Sequence, residues 1–463
     1  MVVKLPVENL HSRDESWTKI QSECYIQVEK PSRYLGEEIN SIWKEPSSVS
    51  FRMALGFPDV YEIGMSHLGL KILYDVINAR DGLYAERVFA PWPDMERVMR
   101  ENMIPLKTLE SKTPLRNLDL IGFSLQYELC ATTVLQMLDL GGIPLRSEVR
   151  SDDDPLVIAG GPVSLNPNPL SAFIDAFVMG DGEEVILEVA SQCMQSKAKR
   201  ESRRELLERL KALEGVFIPL LHRQGDVIKK RVVADLDNAH FPTEIIVPFA
   251  ETVHDRVGVE VARGCTRGCR FCQAGMVYRP VRERSQSTVT RLVKQSLGST
   301  GYDEVALLSL STGDYSGISP LIKKLNEELA PEMTAISLPS LRTDTFDAQM
   351  AEEIRKVRKT GFTLAPEAGS DRLRRIINKG NSEEDLEYAL TKAFEYGWTA
   401  VKLYFMIGLP LETDADLDGI VKLLRKAEKL SKGKKITAAI SCFVPKAHTP
   451  FQWAEQIGLN ELE

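Results

Sequence analysis

From residue 50 onward the chain alternates short, nearly continuous apolar runs with longer stretches whose apolar residues recur every three or four positions. The first pattern predicts buried strands, the second amphipathic helices. In the first half, strands are expected over 51–55, 85–89, 118–124, 156–159 and 176–179, and helices over 67–78, 94–102, 128–140 and 183–196. Leu70, Leu73 and Ile77 share one face of the first helix, and Gly56-Phe-Pro58 is expected to end the first strand. Strand–helix alternation with mostly apolar strands predicts a doubly wound parallel sheet, whose ligands lie beyond the strands' carboxyl ends. Residues 1–48 are polar and mixed, and read as an N-terminal extension with one or two short helices. Residues 49–196 form the α/β domain, and 197–251 read as a charged connector. In that connector a solvated helix is expected from Lys197 to Glu214, followed by short strands and turns over 215–219, 225–233 and 242–248.

The second half, 252–463, repeats the alternation. Strands are expected over 259–262, 303–309, 334–338, 361–365, 399–407 and 435–443. Helices are expected over 288–297, 318–329, 347–356, 371–378, 383–396 (capped by Ser382) and 414–431. Six strands with helices between them close most economically as an open, partial (β/α)6 barrel, with its site at the C-terminal ends of the strands. The sequence stops ten residues after Trp453, before a helix that could cover the barrel edge. A C-terminal continuation, or a separate C-terminal partner domain, is therefore expected.

Composition adds exclusions. Hydrophobic residues make up 43% and charged residues 27% of 463, an ordinary globular balance. A net charge of −8 argues against a broad nucleic-acid footprint, though a local basic patch stays open. No apolar run reaches the ~18 residues of a membrane span, and the first residues lack a signal-peptide layout. No membrane partner and a reducing cytoplasm are expected.

The chemistry concentrates in Cys265-Thr-Arg-Gly-Cys269-Arg-Phe-Cys272, on the loop leaving an apolar strand. Three thiols so close cannot all pair as disulfides, so a shared metal or cluster is the simpler account. A structural zinc site needs four protein ligands, and the nearest histidine, His254, lies eleven residues before Cys265. An iron–sulfur cubane on three cysteines keeps one iron open for a ligand, which suggests catalysis. Arg263, Arg267 and Arg270 suit a negatively charged cluster. Cys24, Cys130, Cys193 and Cys442 are scattered singly and read as small packing residues.

The CxxxCxxC spacing, with Phe271 just before the last cysteine, resembles the radical S-adenosylmethionine (SAM) superfamily. The resemblance implies a 4Fe–4S cluster on Cys265, Cys269 and Cys272, with the open iron chelated by the amino and carboxylate groups of SAM. An electron, delivered by a donor such as flavodoxin or ferredoxin, then cleaves SAM to a 5'-deoxyadenosyl radical that abstracts hydrogen from a substrate. Ser311-Thr-Gly313-Asp314 stands where the family has Gly-Gly-Glu, so Gly313 and Asp314 are expected at the SAM amino group. Ala365-Pro-Glu367-Ala-Gly-Ser370 resembles the segment contacting the SAM ribose and carboxylate, although Ser370 is also placed to cap the next helix. Ile407-Gly408-Leu-Pro410-Leu411-Glu412-Thr resembles the Gly-Phe-Pro-Gly-Glu-Thr strand end bordering the adenine, with Leu411 in place of the second glycine. Phe271 completes the expected SAM contacts. The strand end at 444–453 resembles a Pro-x-x-x-Thr-Pro ending, and its His448 is a candidate proton donor.

The first domain resembles the cobalamin-binding domain that precedes the barrel in one branch of the superfamily. Ser124 ends one strand and Gly160-Gly161 the next, where that domain has a serine and a Gly-Gly. The resemblance implies cobalamin as a third cofactor; ordinary sheet connections are the other reading of the same glycines. The Asp-x-His-x-x-Gly signature is absent, and His67, in Met65-Ser-His-Leu-Gly69, reads as a helix-start residue. Three functions follow for comparison: a radical SAM enzyme, possessing methyl-transfer chemistry if cobalamin is bound; an RNA-modifying, methylthiotransferase-like enzyme, with residues 355–359 as a basic contact; and a non-catalytic iron–sulfur carrier.

Overall fold

The computed structural model describes residues 24–223, 225–339, 341–346, 348–357 and 362–462. They fall into two compact units. One holds the chain up to Lys230 together with Ile246–Asp255, and the other holds Arg231–Ile245 together with the chain from Arg256 onward.

The first unit is built on β1 (Phe51–Phe57), β2 (Leu83–Phe89), β3 (Leu120–Ser124), β4 (Leu156–Gly160), β5 (Ala176–Val178) and β6 (Val216–Phe217). Their order is β2-β1-β3-β4-β5-β6. The first five are parallel, and β6 adds antiparallel to β5. This is a doubly wound sheet whose order reverses between β1 and β3, which opens a crevice at their carboxyl ends. Gly56-Phe57 does not end β1. Both residues stay paired with β2, and Gly56 packs so closely on Phe123 that a Cβ there would lie 2.8 Å from its ring.

β2 is buried along its whole length although it contains Glu86 and Arg87. Arg87 bridges Glu38 and Glu110 at 2.6 Å each, and Glu86 accepts from Arg52 at 2.6 Å and from Thr108 at 2.7 Å. Buried charges persist only when paired and hydrogen-bonded. Residues 32–48 therefore do more than lead in. They insert Glu38 into the core, and Lys44 Nζ donates to the carbonyls of Asn78 and Leu83 at 2.8 and 2.7 Å.

The helix expected to run from Lys197 to Glu214 is two helices. Val185–Lys199 ends at Arg200, which is left-handed with φ 55°, and Arg203–Lys211 starts afresh. Ser202 and Glu205 form a reciprocal capping box there, a local start signal stronger than the helix propensity across it. His67 caps Leu68–Asn78, its Nδ1 accepting from Leu70 N at 3.1 Å, with its ring against Phe57.

The second unit carries β7 (Val257–Glu260), β8 (Ala262–Arg263), β9 (Arg282–Glu283), β10 (Glu304–Leu308), β11 (Ala335–Ser337), β12 (Phe362–Glu367), β13 (Ala400–Ile407) and β14 (Lys435–Cys442). Six of them form two parallel blocks, β7-β10-β11 and β12-β13-β14, in the chain order of a partial (β/α)6 barrel. The strand before the cysteines breaks at Val261. β8 then pairs antiparallel with β9, tying the cysteine loop at its base. On β13 Val401, Leu403 and Phe405 are buried and Lys402 and Tyr404 are exposed, the period-two signature of a strand with one covered face. The helix Asp414–Ser431 lies against the turn after β12. Gly419 and Gly369 meet backbone to backbone, and a Cβ on Gly419 would lie 2.4 Å from Gly369 O.

Two outcomes test this packing. Gly419→Ala should lower the stability of the protein by about 2 kcal/mol, read as a lower urea midpoint, because neither backbone can yield. Gly298→Ala, in the helix Gln286–Thr300 where a Cβ meets nothing within 4 Å, should instead stabilise by up to ~1 kcal/mol. Burial pushes the His67 imidazole down from 6.5 to about 4. Between those values the unfolded chain takes up a proton that the folded chain refuses, so this contribution is full above 6.5 and is lost as pH falls toward 4. His67→Asn keeps a cap acceptor and should flatten that part of the stability–pH curve in thermal melts.

Candidate metal centre and cofactor site

The three cysteines lie on a loop whose backbone is shaped by two left-handed glycines, Gly264 at φ 94° and Gly268 at φ 70°. At Gly264 a Cβ would lie 2.7 Å from Tyr278 O and 2.8 Å from Pro280 O, so no other residue closes this neck. None of the three is in a disulfide, and Cys269 is only 9% exposed. Cys272 N donates to Cys269 O at 3.1 Å, and Cys272 Sγ accepts from Gly275 N at 3.3 Å at the start of the helix Gln273–Val277. Burial raises the Cys272 thiol, Gly275 N–H opposes this, the Cys269 and Cys265 sulfurs raise it further, and Lys379 opposes them. Both other sulfurs therefore act on Cys272. Among the described residues no three His, Cys, Asp or Glu side chains converge to hold a single metal ion. Three thiols without a fourth protein ligand suit a cluster that offers each of them its own iron.

The loop is held by the second block of strands. Phe271 is half-buried among Ala368, Leu373, Ile377, Leu409 and Phe443, which follow β12, β13 and β14. Arg270 N donates to Ile377 O at 2.9 Å, and Asn378 Nδ2 donates to Gly268 O at 2.9 Å. Phe271, expected at SAM, is in this structure the apolar wedge that seats the cysteine loop.

The other expected SAM residues gather at the strand ends, each already engaged. After β10, Asp314 is held by Arg267 from the cysteine loop, with Nε to Oδ2 at 2.7 Å, and by Ser311 Oγ at 2.6 Å. Burial raises its carboxyl, but those two partners outweigh the effect and lower it. Gly313 lies against Thr345, where a Cβ would meet Oγ1 at 2.2 Å, so packing alone explains that glycine. Glu367, left-handed at φ 67°, pairs with Lys379 at 2.9 Å. Ser370 caps the helix Asp371–Ile376 by accepting from Leu373 N at 3.1 Å, and it donates to Asp416. Asp416 is 2% exposed; burial raises its carboxyl, and hydrogen bonds from Ser370, Arg372 and Thr413 pull it down to about 2.

Ile407 ends β13, and Gly408, at φ 75°, donates its N–H to Glu412 Oε2 at 2.6 Å. Leu411, where the family has a glycine, keeps the left-handed backbone at φ 65°, so the turn survives the loss of the glycine at some strain. His448 is exposed on the turn after β14 at φ 64°, its N–H donating to Gln452 Oε1 at 3.2 Å. Of the basic stretch 355–359, Arg355 stacks on Tyr396 at 5.1 Å, and residues 358 and 359 lie outside the described residues. Lys379, Asp344 and Asp416 escaped the sequence reading. Each is an ordinary charged residue in its own segment, and only burial at the strand ends singles it out.

In the first unit Ser124 and Gly160 are register partners at the carboxyl ends of β3 and β4. Gly161, at φ 98°, would place a Cβ 2.5 Å from Leu125 O, so its glycine is structural. Gly160 has no such reason, because its Cβ would meet only Val178 at 3.9 Å. That leaves a cradle above the strand end that any side chain would fill. Asp59-Val-Tyr61-Glu-Ile-Gly64 has the spacing of the missing signature, with tyrosine at the histidine's place. Tyr61 is turned inward, its hydroxyl donating to Glu38 Oε1 at 2.8 Å, and Asp59 accepts from Tyr127. The space at Gly160 leaves room for a cofactor against the backbone, and this segment offers no histidine to it.

Residues 69–219 match the family described as radical SAM proteins, N-terminal, and residues 259–424 match the radical SAM superfamily. An uncharacterized protein of Methanocaldococcus jannaschii is 29% identical over 408 residues, 87% of this chain and 79% of that protein. A ribosomal protein uS12 methylthiotransferase of Desulfotalea psychrophila is 26% identical over 236 residues, 48% of this chain, and the match spans 52% of that protein. In fold, the chain resembles the radical SAM methyltransferase TsrM of Kitasatospora setae, solved with cobalamin and a [4Fe-4S] cluster. That likeness has a TM-score of 0.61 at 14% identity, over 86% of this chain and 73% of TsrM. It also resembles the cobalamin-dependent radical SAM enzyme OxsB, with a TM-score of 0.59 at 14% identity, over 87% of this chain and 60% of OxsB. With two adjoining radical SAM matches, and with three cysteines on the loop that leaves the first barrel strand, the chain is a radical SAM enzyme whose first half has the cobalamin-binding-like fold.

Proposed function

We propose that this enzyme cleaves SAM reductively and uses cobalamin to transfer a methyl group to its substrate. The observation that carries the reading is the loop of three thiols wedged by Phe271 onto the carboxyl ends of the barrel strands. When bound, a 4Fe–4S cluster would supply the electron that breaks SAM, and cobalamin, itself methylated by a second SAM, would supply the transferable methyl group.

The chain's own residues bind and orient. Cys265, Cys269 and Cys272 would hold three irons of the cluster, and Arg267, Arg270 and Lys379 would balance its negative charge. Asp314 accepts from the SAM ammonium, a charge-assisted hydrogen bond, and the Gly313 backbone lies beside it. Glu367 accepts from the ribose hydroxyls, Ser370 steadies that turn, and the Ile407–Gly408 backbone borders the adenine. Ser124, Gly160 and Gly161 line the place for cobalamin in the front domain. A small electron-transfer protein such as flavodoxin or ferredoxin delivers the electron. The distant methylthiotransferase relatives, one of them a tRNA-2-methylthio-N(6)-dimethylallyladenosine synthase of Petrotoga mobilis, support a second reading, sulfur-and-methyl insertion into a macromolecule such as RNA.

Anaerobically reconstituted protein with SAM and a reductant should release 5'-deoxyadenosine. Cys265→Ala, Cys269→Ala and Cys272→Ala should each lose iron and that product, whereas Cys193→Ala should lose neither. An intact cluster that leaves SAM uncut under several reductants would turn the assignment toward an electron carrier. Protein made in cobalamin-fed cells should carry an extractable corrinoid and its visible spectrum. Gly160→Val should lose the corrinoid while keeping iron, because the branched side chain occupies the cradle; a corrinoid-free wild type leaves the methylthiotransferase-like reading in its place.

A further inference from the structure

Arg267 ties the cysteine loop to the residue expected to receive the amino group of SAM. Its backbone N–H reaches Cys265 Sγ at 3.5 Å, and its guanidinium takes both oxygens of Asp314, with Nε on Oδ2 at 2.7 Å and Nη2 on Oδ1. Such a fork leaves Asp314 little capacity, since Ser311 Oγ also donates to Oδ2 at 2.6 Å. The third guanidinium nitrogen, Nη1, sits on Asp344 Oδ2 at 3.1 Å. Asp344 is itself fixed by Arg342, Nε to Oδ1 at 2.8 Å, and Arg342 anchors to Lys379 O. One cation therefore spans two carboxylates, and only one of them is wanted by an incoming ammonium. Two cations cannot both hold Asp314 in full.

We propose that Arg267 is a latch on the amino-acid end of the SAM site, a positioning residue that yields Asp314 to the SAM ammonium and remains seated on Asp344. The inference rests on the radical SAM reading and on Asp314 as the ammonium acceptor. Before SAM arrives, the latch keeps Asp314 from standing as an uncompensated charge. When SAM arrives, the exchange moves the guanidinium away from Asp314 without releasing it. The cost of breaking the fork is charged against SAM affinity, so the loop that carries Cys265 senses whether the amino-acid site is filled.

The test uses full-length protein, reconstituted anaerobically with iron content matched, and reads the SAM dissociation constant by equilibrium dialysis and the reduced-cluster electron paramagnetic resonance (EPR) signal with and without SAM. Arg267→Gln should bind SAM about fivefold more tightly, a direction that mere structural damage does not produce. Asp314→Asn should bind it at least about tenfold more weakly. Asp344→Asn removes the second seat and should weaken SAM binding about threefold while the SAM-free EPR signal stays unchanged. If Asp314→Asn weakens binding but Arg267→Gln leaves it equal or weaker, the latch is wrong and the reading of Asp314 stands. If Asp314→Asn binds like the wild type, Asp314 does not hold SAM and the latch falls with it. Should Arg267→Gln fail to load iron, Asp344→Asn decides alone, and unchanged affinity in that variant overturns the latch.

Discussion

Sulfurs that must serve together as thiolate ligands within eight residues would repel one another, and burial makes the repulsion worse because little water screens it. The protein must hold them together by forces other than the metal. It does so with packing and backbone hydrogen bonds. Phe271, between Arg270 and Cys272, sits among apolar residues that follow three different strands, and hydrogen bonds at Arg270 N and Gly268 O fasten the loop just before it. A ribbon of two short antiparallel strands closes the loop at its base. The cations nearby are placed to lower the repulsion: Lys379 acts on Cys272 from a position only 8% exposed.

Charge at the strand ends follows the same logic. Each acidic group expected to meet SAM is partnered within the chain, Asp314 by Arg267 and Glu367 by Lys379. Unpaired carboxylates in a partly buried cleft are costly, so the protein supplies its own counter-ions. The left-handed turn after β13 shows how far backbone geometry outlasts residue identity. Leu411 holds a conformation that glycine adopts without strain, because Gly408 N–H and the Glu412 carboxylate close the turn around it.

The first unit rests on buried charge as well, of a different kind. Arg87 runs through β2 between Glu38 and Glu110, so residues that look like a polar lead-in complete the core of the sheet. Tyr61, at the place of a signature histidine, is drawn into that network through Glu38. At the carboxyl ends of β3 and β4, Ser124 faces Gly160, where a Cβ would meet only Val178.

Periodicity and spacing alone determined the strand–helix alternation, the two halves of the chain, and the three cysteines with their aromatic neighbour. Each of these is encoded within a few residues by patterns that burial and ligand chemistry impose locally. Capping decided the break at Ser202, also a local signal, but one that is legible only once the competing helix is known to end at Arg200. Only the tertiary structure decided which charges matter. Arg267 meets Asp314 and Asp344 across 47 and 77 residues, and Arg87 meets Glu38 across 49. In sequence these are ordinary members of polar segments. Folding removes the water around them, and a charge without water must find a partner or a function.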